Sequence, residues 1–150
     1  MANTYTNLQY HIIFSTKHRE PWIKPEFESR IWAYLGGIAR DARLKALRIG
    51  GTDDHVHMLL AIPPAMALSE ALKRIKGGSS GWIKQSFPGC LGFGWQDGYA
   101  AFTVSKSQAP EIEAYILGQR EHHRVKTFQE EYRAFLDKHG IVYDEKYLWD

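Results

Sequence analysis

The order of strand-like and helix-like segments restricts the fold of this chain more than any other feature. Short runs of β-branched and aromatic residues predict strands, and they occupy residues 8–14, 44–49, 55–62 and 99–104. Apolar residues that recur every three or four positions predict helices, and they occupy residues 25–41, 68–87, 110 to beyond 119, and 128–139. This order predicts an α+β, ferredoxin-like sandwich, in which helices cover one antiparallel sheet.

Three segments fit this pattern less well. The pair Gly77-Gly78 lies inside the second helical segment and weakens it, because glycine is a poor helix former. Residues 105–108 have the composition of a short polar connector. Residues 141–150 are expected to be irregular or to form a short strand.

Length and composition are those of one ordinary domain. With 150 residues, of which 44% are hydrophobic, the chain can bury a core, so we expect a single domain over residues 1–150. No apolar run approaches the roughly 20 residues that span a bilayer, and the start lacks a secretory signal. Cys90 is the only cysteine, which fits a reducing cytoplasm. The net charge of +2 permits a nucleic-acid partner without requiring one.

Two histidines stand two positions apart in the third predicted strand, within the segment DDHVHMLL. Side chains alternate between the faces of a strand, so His55 and His57 share one face, with Cα atoms about 6.5–7 Å apart. Two imidazoles at this spacing can converge on one cation. An H-x-H pair also occurs often by chance, and two buried, hydrogen-bonded histidines without a metal would give the same pattern.

Tyr115 and Gln119 are four residues apart in a predicted helix, which places them one turn apart on one helix face. A tyrosine beside a metal-ligating oxygen suits nucleophilic attack on a phosphate, with a phosphotyrosine as the intermediate. Gln119 offers a carbonyl oxygen as a third ligand. On helical spacing alone, Tyr115 is more often a packing residue.

Five blocks of the sequence, in this order, carry a resemblance to a known family: YHIIFSTKHR, GGTDDHVHML, LKRIKGGSS, WQDGYAAFTVS and YILGQREHH. The chain resembles the single-tyrosine HUH transposases of the smallest bacterial insertion sequences (the IS200-like transposases) and the related REP-associated tyrosine transposases. The resemblance spans nearly the whole chain. The combination of the five blocks is specific for this family, whereas each block alone is not.

The resemblance implies a role for each residue of the two motifs. His55 and His57 would be the metal-binding pair, Gln119 the third ligand and Tyr115 the nucleophile. The family's activity would be cleavage and rejoining of single-stranded DNA at the hairpin ends of an insertion element, through a 5′-phosphotyrosine and without a nucleotide cofactor. Members of this family form an obligate homodimer, in which the tyrosine helix of one subunit often completes the histidine site of the other. The resemblance therefore implies the same here, and residues 105–108 match the connector that precedes the tyrosine helix and would permit such sharing.

The ligand types indicate which ion is expected. Two imidazoles and one amide oxygen leave several octahedral positions for water and phosphate, which suits Mg²⁺ or Mn²⁺. A structural zinc site would need four protein ligands, typically including thiolates, and this chain has only Cys90.

Other residues could serve the same site or the DNA. Asp54 would shape the turn before the histidines or support one of them, while His11 is either structural or close to DNA. His122 and His123 are expected to be solvated, and Trp95 and Tyr99 to be buried rather than to stack bases. The candidate phosphate contacts, each of which could equally be solvated surface, are Lys17, Arg19, Lys73, Arg74 and Lys76.

Four other classes of protein are alternatives to this interpretation. Relaxases and replication initiators of the HUH superfamily are usually longer, and two-histidine phosphodiesterases need His-x-Thr/Ser pairs that the chain lacks. A non-catalytic ferredoxin-like nucleic-acid-binding module would be expected to carry an aromatic RNP-type strand, which is also absent. The fourth alternative, a domesticated REP-associated nuclease, is compatible with all of these sequence features.

Overall fold

The computed structural model describes residues 3–150 and has an α+β architecture. Its strands are β1 (Gln9–Ser15), β2 (Lys45–Gly51), β3 (His55–Ala61) and β4 (Ala100–Val104). Its α-helices are α1 (Glu28–Asp41), α2 (Leu68–Ser86), α3 (Ala109–Leu117), α4 (Gln119–His122) and α5 (Phe128–Lys138). Each strand lies within two residues of its predicted bounds, which is the usual uncertainty of element ends.

The four strands form one sheet in the order β2-β3-β1-β4, and every neighbouring pair is antiparallel. β1 and β3 occupy the centre, paired from Gln9 opposite Ala61 to Ser15 opposite His55. The prediction of an antiparallel sheet with helices packed on it is therefore confirmed.

One face of the sheet carries the main hydrophobic core. Alternate residues of the central strands point to this face and are fully buried: Ile12, Phe14, Val56, Met58 and Leu60. The helices α1 and α2 cover them with apolar side chains that recur every three or four positions along each helix. Leu35 of α1 and Ile75 of α2 are two of these side chains. Each large aliphatic side chain buried here contributes about 1.5–3 kcal/mol.

The pair Gly77-Gly78 does not interrupt α2, so the expectation of a weakened helix is wrong. A Cβ atom on Gly78 would lie 3.1 Å from Cδ1 of Ile38 on α1. The missing side chain therefore lets the two helices approach closely, and their packing compensates for the low helix propensity of glycine. None of the helices among residues 3–150 is both long and apolar enough to cross a membrane.

The opposite face of the sheet is covered by α3, α4 and α5. The predicted single helix from residue 110 to beyond 119 is wrong, because it breaks at Gly118, where φ is −89° and ψ is 16°. Glycine has little helical preference of its own, and its N–H bonds back to the carbonyls of Ala114 and Tyr115. Tyr115 and Gln119 thus lie on two successive short helices rather than on one.

Two further features position these helices. A Cβ atom on Gly50 of β2 would lie 2.7 Å from the backbone oxygen of Ile116, so the absence of a side chain there allows α3 to rest directly on the sheet. Residues 141–150 form no strand, and Leu148 and Trp149 pack instead against the apolar cluster of α5.

Candidate metal centre and nucleophile

The two histidines of β3 lie on the sheet face that α3, α4 and α5 cover, and both are fully buried. Their ring centroids are 5.2 Å apart. The alternation of the strand places them together, while Val56 between them points into the core on the other face.

Each imidazole is held by partners on its Nδ1 atom. Nδ1 of His55 lies 2.8 Å from Oδ1 of Asp54 and 3.0 Å from Oγ1 of Thr52. Nδ1 of His57 lies 2.8 Å from Nε2 of His11. Contacts of this kind fix ring orientation, so Nε2 of both rings faces the space under α4 and α5. Asp54 and His11 therefore act as supports of the histidine pair.

The two residues of the second motif also reach this space. The Oε1 atom of Gln119 lies 2.9 Å from Nε2 of His55, and the Gln119 side chain is buried. The Tyr115 hydroxyl lies 3.2 Å from Nε2 of His122, and the Tyr115 ring centroid is 5.8 Å from that of His57. The structure thus brings together all four residues singled out as metal ligands and nucleophile.

Glu131 of α5 stands at the centre of the group, although sequence reasoning did not find it. Its Oε1 atom lies 2.9 Å from Nε2 of His57 and 3.1 Å from Nε2 of His123. Its Oε2 atom accepts hydrogen bonds from the Tyr115 hydroxyl and from Nε2 of Gln119, the latter at 3.2 Å.

A signal for Glu131 was present in the sequence. It occupies the apolar stripe of α5 together with Phe128, Tyr132 and Phe135, where only apolar residues are expected. A carboxylate at such a position is almost never buried without a partner, so it predicts a polar site beneath the helix.

The expectation that His122 and His123 are solvated is wrong for His123. Its side chain is only 11% exposed, and Nε2 lies 3.1 Å from Gln119 Oε1 as well as from Glu131. Residues 123–125 form a turn after α4, and there the imidazole of His123 contacts Glu131 of α5. His122 is 30% exposed and lies beside Tyr115.

Burial sets the protonation of these groups. It disfavours the imidazolium form and lowers the pKa of His57 to about 4 and that of His11 to about 3. Burial opposes ionisation of Glu131, but hydrogen bonds from His123 and His57 outweigh it, and the pKa of Glu131 falls well below its usual range. Burial and the charge of Glu131 raise the pKa of the Tyr115 phenol. At neutral pH, His11 and His57 are therefore neutral, Glu131 is ionised and Tyr115 is a protonated phenol. Burial opposes protonation of His123 as well, but its hydrogen bond to Glu131 outweighs burial and raises the pKa of His123.

The donor atoms fit a divalent cation. One ligand atom from each of His55, His57, His123 and Glu131 lies within 4.8 Å of the others, and Gln119 adds an amide oxygen. The closest donor pairs are 2.9–3.1 Å apart, close to the separation of about 3 Å between adjacent ligands of an octahedral ion with bonds of about 2.1 Å. The set offers imidazole nitrogen, carboxylate oxygen and amide oxygen atoms and no thiolate, and these donor types bind divalent cations.

Comparison with protein families identifies the chain. A family model described as "Transposase IS200 like" matches residues 4–119, more than three quarters of the sequence. The chain belongs to the IS200-like transposase family. Membership makes it a transposase rather than the non-catalytic binding module considered as an alternative. The matched span of the IS200-like transposase includes the paired histidines, Tyr115 and Gln119, whereas His123 and Glu131 lie beyond it.

Individual relatives agree with this assignment. The transposase of insertion sequence element IS200 from Salmonella typhimurium is 34% identical over 127 residues, covering 81% of this chain and 82% of that protein. The ISDra2 transposase TnpA from Deinococcus radiodurans is 29% identical over 119 residues, covering 76% of this chain and 85% of that protein.

Solved structures agree at the level of the fold. A transposase structure from Deinococcus radiodurans R1 superposes with a TM-score of 0.66 at 27% identity, covering 79% of this chain and 95% of that chain. A REP-associated tyrosine transposase bound to a REP hairpin superposes with a TM-score of 0.56 at 13% identity. It covers 95% of this chain and 74% of that chain, and at this identity it supports the fold alone.

The five cations singled out as phosphate contacts lie elsewhere on this IS200-like transposase. Lys73 and Lys76 line a groove of about 470 Å³ on α2 together with Trp95 and Tyr99. Trp95 is buried as expected, whereas Tyr99 is only half-buried. Lys76 is itself engaged, because its Nζ donates to the backbone oxygens of residues 97 and 98 at 2.9 and 2.8 Å.

The other three cations already have partners. Lys17 lies 3.8 Å from Asp97, Arg74 forms an ion pair with Glu70 one helical turn away, and the Arg19 guanidinium sits 5.0 Å from the Trp149 ring centroid. Exposed pairs of this kind are weak and can exchange for phosphate, so these contacts stay a prediction.

Proposed function

We propose that this transposase cuts and rejoins single-stranded DNA by attack of Tyr115 on a phosphate beside a divalent ion held by His55, His57 and Gln119. One observation carries the proposal. Gln119 lies 64 residues beyond His55 in sequence, yet its amide oxygen is 2.9 Å from that imidazole, and Tyr115 stands beside the same cluster. Two motifs that are weak separately thus form a single group of donor atoms and one nucleophile.

The covalent chemistry follows from the residues of the chain. The Tyr115 oxygen forms a bond to phosphorus and loses its proton, while the bond to the 3′ oxygen breaks and that oxygen gains a proton. The products are a 5′-phosphotyrosine and a free 3′-hydroxyl. Attack by another 3′-hydroxyl reverses the step and joins two DNA ends, so no nucleotide cofactor is needed.

The ion's contribution is electrostatic. When bound, a divalent ion polarises a non-bridging phosphate oxygen and stabilises developing charge. His55 and His57 are pre-oriented for this role by Asp54, Thr52 and His11, and their Nε2 atoms face the same space. We propose Mg²⁺ or Mn²⁺ as the ion.

A surface cavity gives the substrate access to the nucleophile. It measures about 210 Å³, and Tyr115, Glu131, Lys126 and Lys138 are among the residues that line it. Ammonium groups at the rim of the cavity suit a phosphate approaching the Tyr115 hydroxyl. We propose that the DNA is a hairpin at the end of the element, in keeping with the REP hairpin bound by the structural neighbour.

The proposal is tested by covalent trapping. Labelled single-stranded DNA from the element's ends, incubated with the protein and Mn²⁺, should give a denaturant-resistant protein–DNA adduct that EDTA abolishes. Tyr115→Phe should give none, because the nucleophilic oxygen is removed with almost no change in volume. The control Tyr132→Phe makes the same change at another tyrosine of the covering helices, and it should still form the adduct. An adduct formed by Tyr115→Phe, or one that survives EDTA, would show that the nucleophile or the metal is misassigned.

We also propose that the protein is a homodimer, since a domain of this size gains buried surface by pairing. Within one chain, α3 reaches its own histidines and is held there by Ile112 and Ile116 packed against Leu59. Exchange of α3 and α4 between two chains would rebuild the same contacts in trans, with residues 105–108 as the hinge.

Subunit mixing tests this arrangement. His57→Gln and Tyr115→Phe chains, inactive separately, should recover adduct formation when mixed if each site combines two chains. If each site is built within one chain, the mixture stays inactive. A protein that sediments as a monomer at every concentration contradicts the dimer itself.

A further inference from the structure

Glu131 is the most deeply buried carboxylate of the site, and its two oxygens serve different groups. The side chain is 1% exposed. Oε1 faces the imidazoles of His57 and His123, whereas Oε2 faces the Tyr115 hydroxyl and the amide of Gln119. The carboxylate therefore stands between the candidate metal ligands and the nucleophile and contacts both.

The charge of Glu131 has no fixed counter-ion among residues 3–150. Every ion-pair partner of its carboxylate is a histidine, at 2.9 to 3.6 Å, and none is a lysine or arginine. A buried carboxylate without a cation is costly. A divalent ion between these histidines and the carboxylate would place a permanent positive charge where the donor atoms already converge.

We propose that Glu131 is a further ligand of the metal through Oε1 and that it positions Tyr115 through Oε2. This inference rests on the proposed function, since it assumes the metal of the histidine pair. It adds an anionic ligand to a set of neutral donors and connects the nucleophile to the ion through one carboxylate. Because Glu131 lies beyond residues 4–119, helix α5 completes the site with a residue that the match to the family model does not include.

The packing of α5 fixes this carboxylate in place. A capping box starts the helix, with the Glu130 N–H donating to Thr127 Oγ1 at 3.1 Å. Phe128, Tyr132 and Leu136 then anchor α5 on the sheet through contacts that include Ile13. If Glu131 ligates the ion, metal binding must stabilise α5 as well as the histidine strand.

Metal affinity tests the ligand role without measuring activity. Mn²⁺ binding is followed by the loss of the free-ion electron paramagnetic resonance signal in wild type, Glu131→Gln and Glu130→Gln. We expect Glu131→Gln to weaken binding about tenfold or more, and Glu131→Asp to recover part of the loss. The control Glu130→Gln makes the same charge change one residue away, at an exposed site where glutamine also satisfies the capping box, and it should leave the affinity unchanged.

Hydrogen exchange in the unaltered protein gives a second readout, which holds even if the Glu131 variants fold poorly. We expect Mn²⁺ to slow exchange of the amides of residues 128–138 together with those of the histidine strand. Protection of the strand without any change in α5 would overturn the inference.

The outcomes separate this inference from the proposed function. If His57→Gln abolishes Mn²⁺ binding while Glu131→Gln binds as tightly as wild type, the metal site stands and Glu131 is not a ligand. Glu131→Gln binding Mn²⁺ more tightly than wild type would likewise overturn the ligand role. If wild type binds no Mn²⁺ at all, the proposed metal mechanism fails, and this inference fails with it.

Discussion

The two faces of the sheet are buried to the same degree but by different chemistry. On one face, Val56, Met58 and Leu60 of β3 pack against the apolar sides of α1 and α2. On the other, His55 and His57 of the same strand meet polar groups from α4 and α5. Burial alone therefore does not distinguish the core from the site. What distinguishes them is the type of partner that each buried residue contacts, which is apolar in the core and polar or ionisable in the site.

The comparison also shows how a polar face remains buried. The histidine cluster satisfies its own hydrogen-bonding groups, and among residues 3–150 the one buried side-chain atom without a partner is Oε1 of Gln9, which is not part of the cluster. Polar groups that are paired in this way avoid most of the cost of burial. The site is thus stable enough to be covered by helices, and a change on each face should have a different consequence.

The largest expected effect comes from the polar face. His57→Gln replaces a ligand by a neutral side chain that retains hydrogen-bonding capacity, so the fold should persist. Adduct formation with Mn²⁺ should fall about a thousandfold or more, because a bound metal ion supplies several kcal/mol of stabilisation. Adduct yield and the free energy of unfolding, measured on the same preparation, check this. If both fall together, the two faces are not functionally separate.

The next effect belongs to the apolar face. Leu60→Ala removes a fully buried side chain of the same strand and should lower the free energy of unfolding by about 3 kcal/mol. Urea denaturation measures the loss. Adduct formation per folded molecule should stay at the wild-type level, since Leu60 points away from the histidines. A selective loss of activity in a stably folded Leu60→Ala protein would contradict the division between faces.

The smallest effect is the pH dependence of stability in EDTA. In the folded chain the pKa of His57 is about 4 and that of His11 about 3, against about 6.5 when unfolded. Between these values the unfolded chain binds more protons, so stability must fall as the pH falls from 6.5 towards 4. We expect a loss of about 2 kcal/mol between pH 6.5 and 5.5 for the pair. Urea denaturation across this range should give a shallower slope for His11→Phe and an unchanged slope for Leu60→Ala.

Part of the fold could be predicted from local pattern alone. The alternation of a strand placed His55 and His57 on one face and Val56 on the other, and the order of elements indicated an antiparallel sheet covered by helices. These inferences hold because strand and helix periods are set by the backbone of each segment. Local propensity misled at two glycines, for opposite reasons. At Gly78 the packing of α1 against α2 outweighs the low helix propensity of glycine. At Gly118 that low propensity prevails, and the helix predicted from the apolar periodicity breaks there.

The sequence by itself therefore determined the histidine pair, the tyrosine and glutamine, and the resemblance to single-tyrosine transposases. Only the tertiary structure decided that Glu131, His123 and His11 belong to the same group. Glu131 lies 74 residues beyond His57, and His57 lies 46 residues beyond His11. Periodicity describes which face of its own segment a residue occupies, whereas contacts between distant segments depend on how the apolar faces of α3 and α5 pack on the sheet.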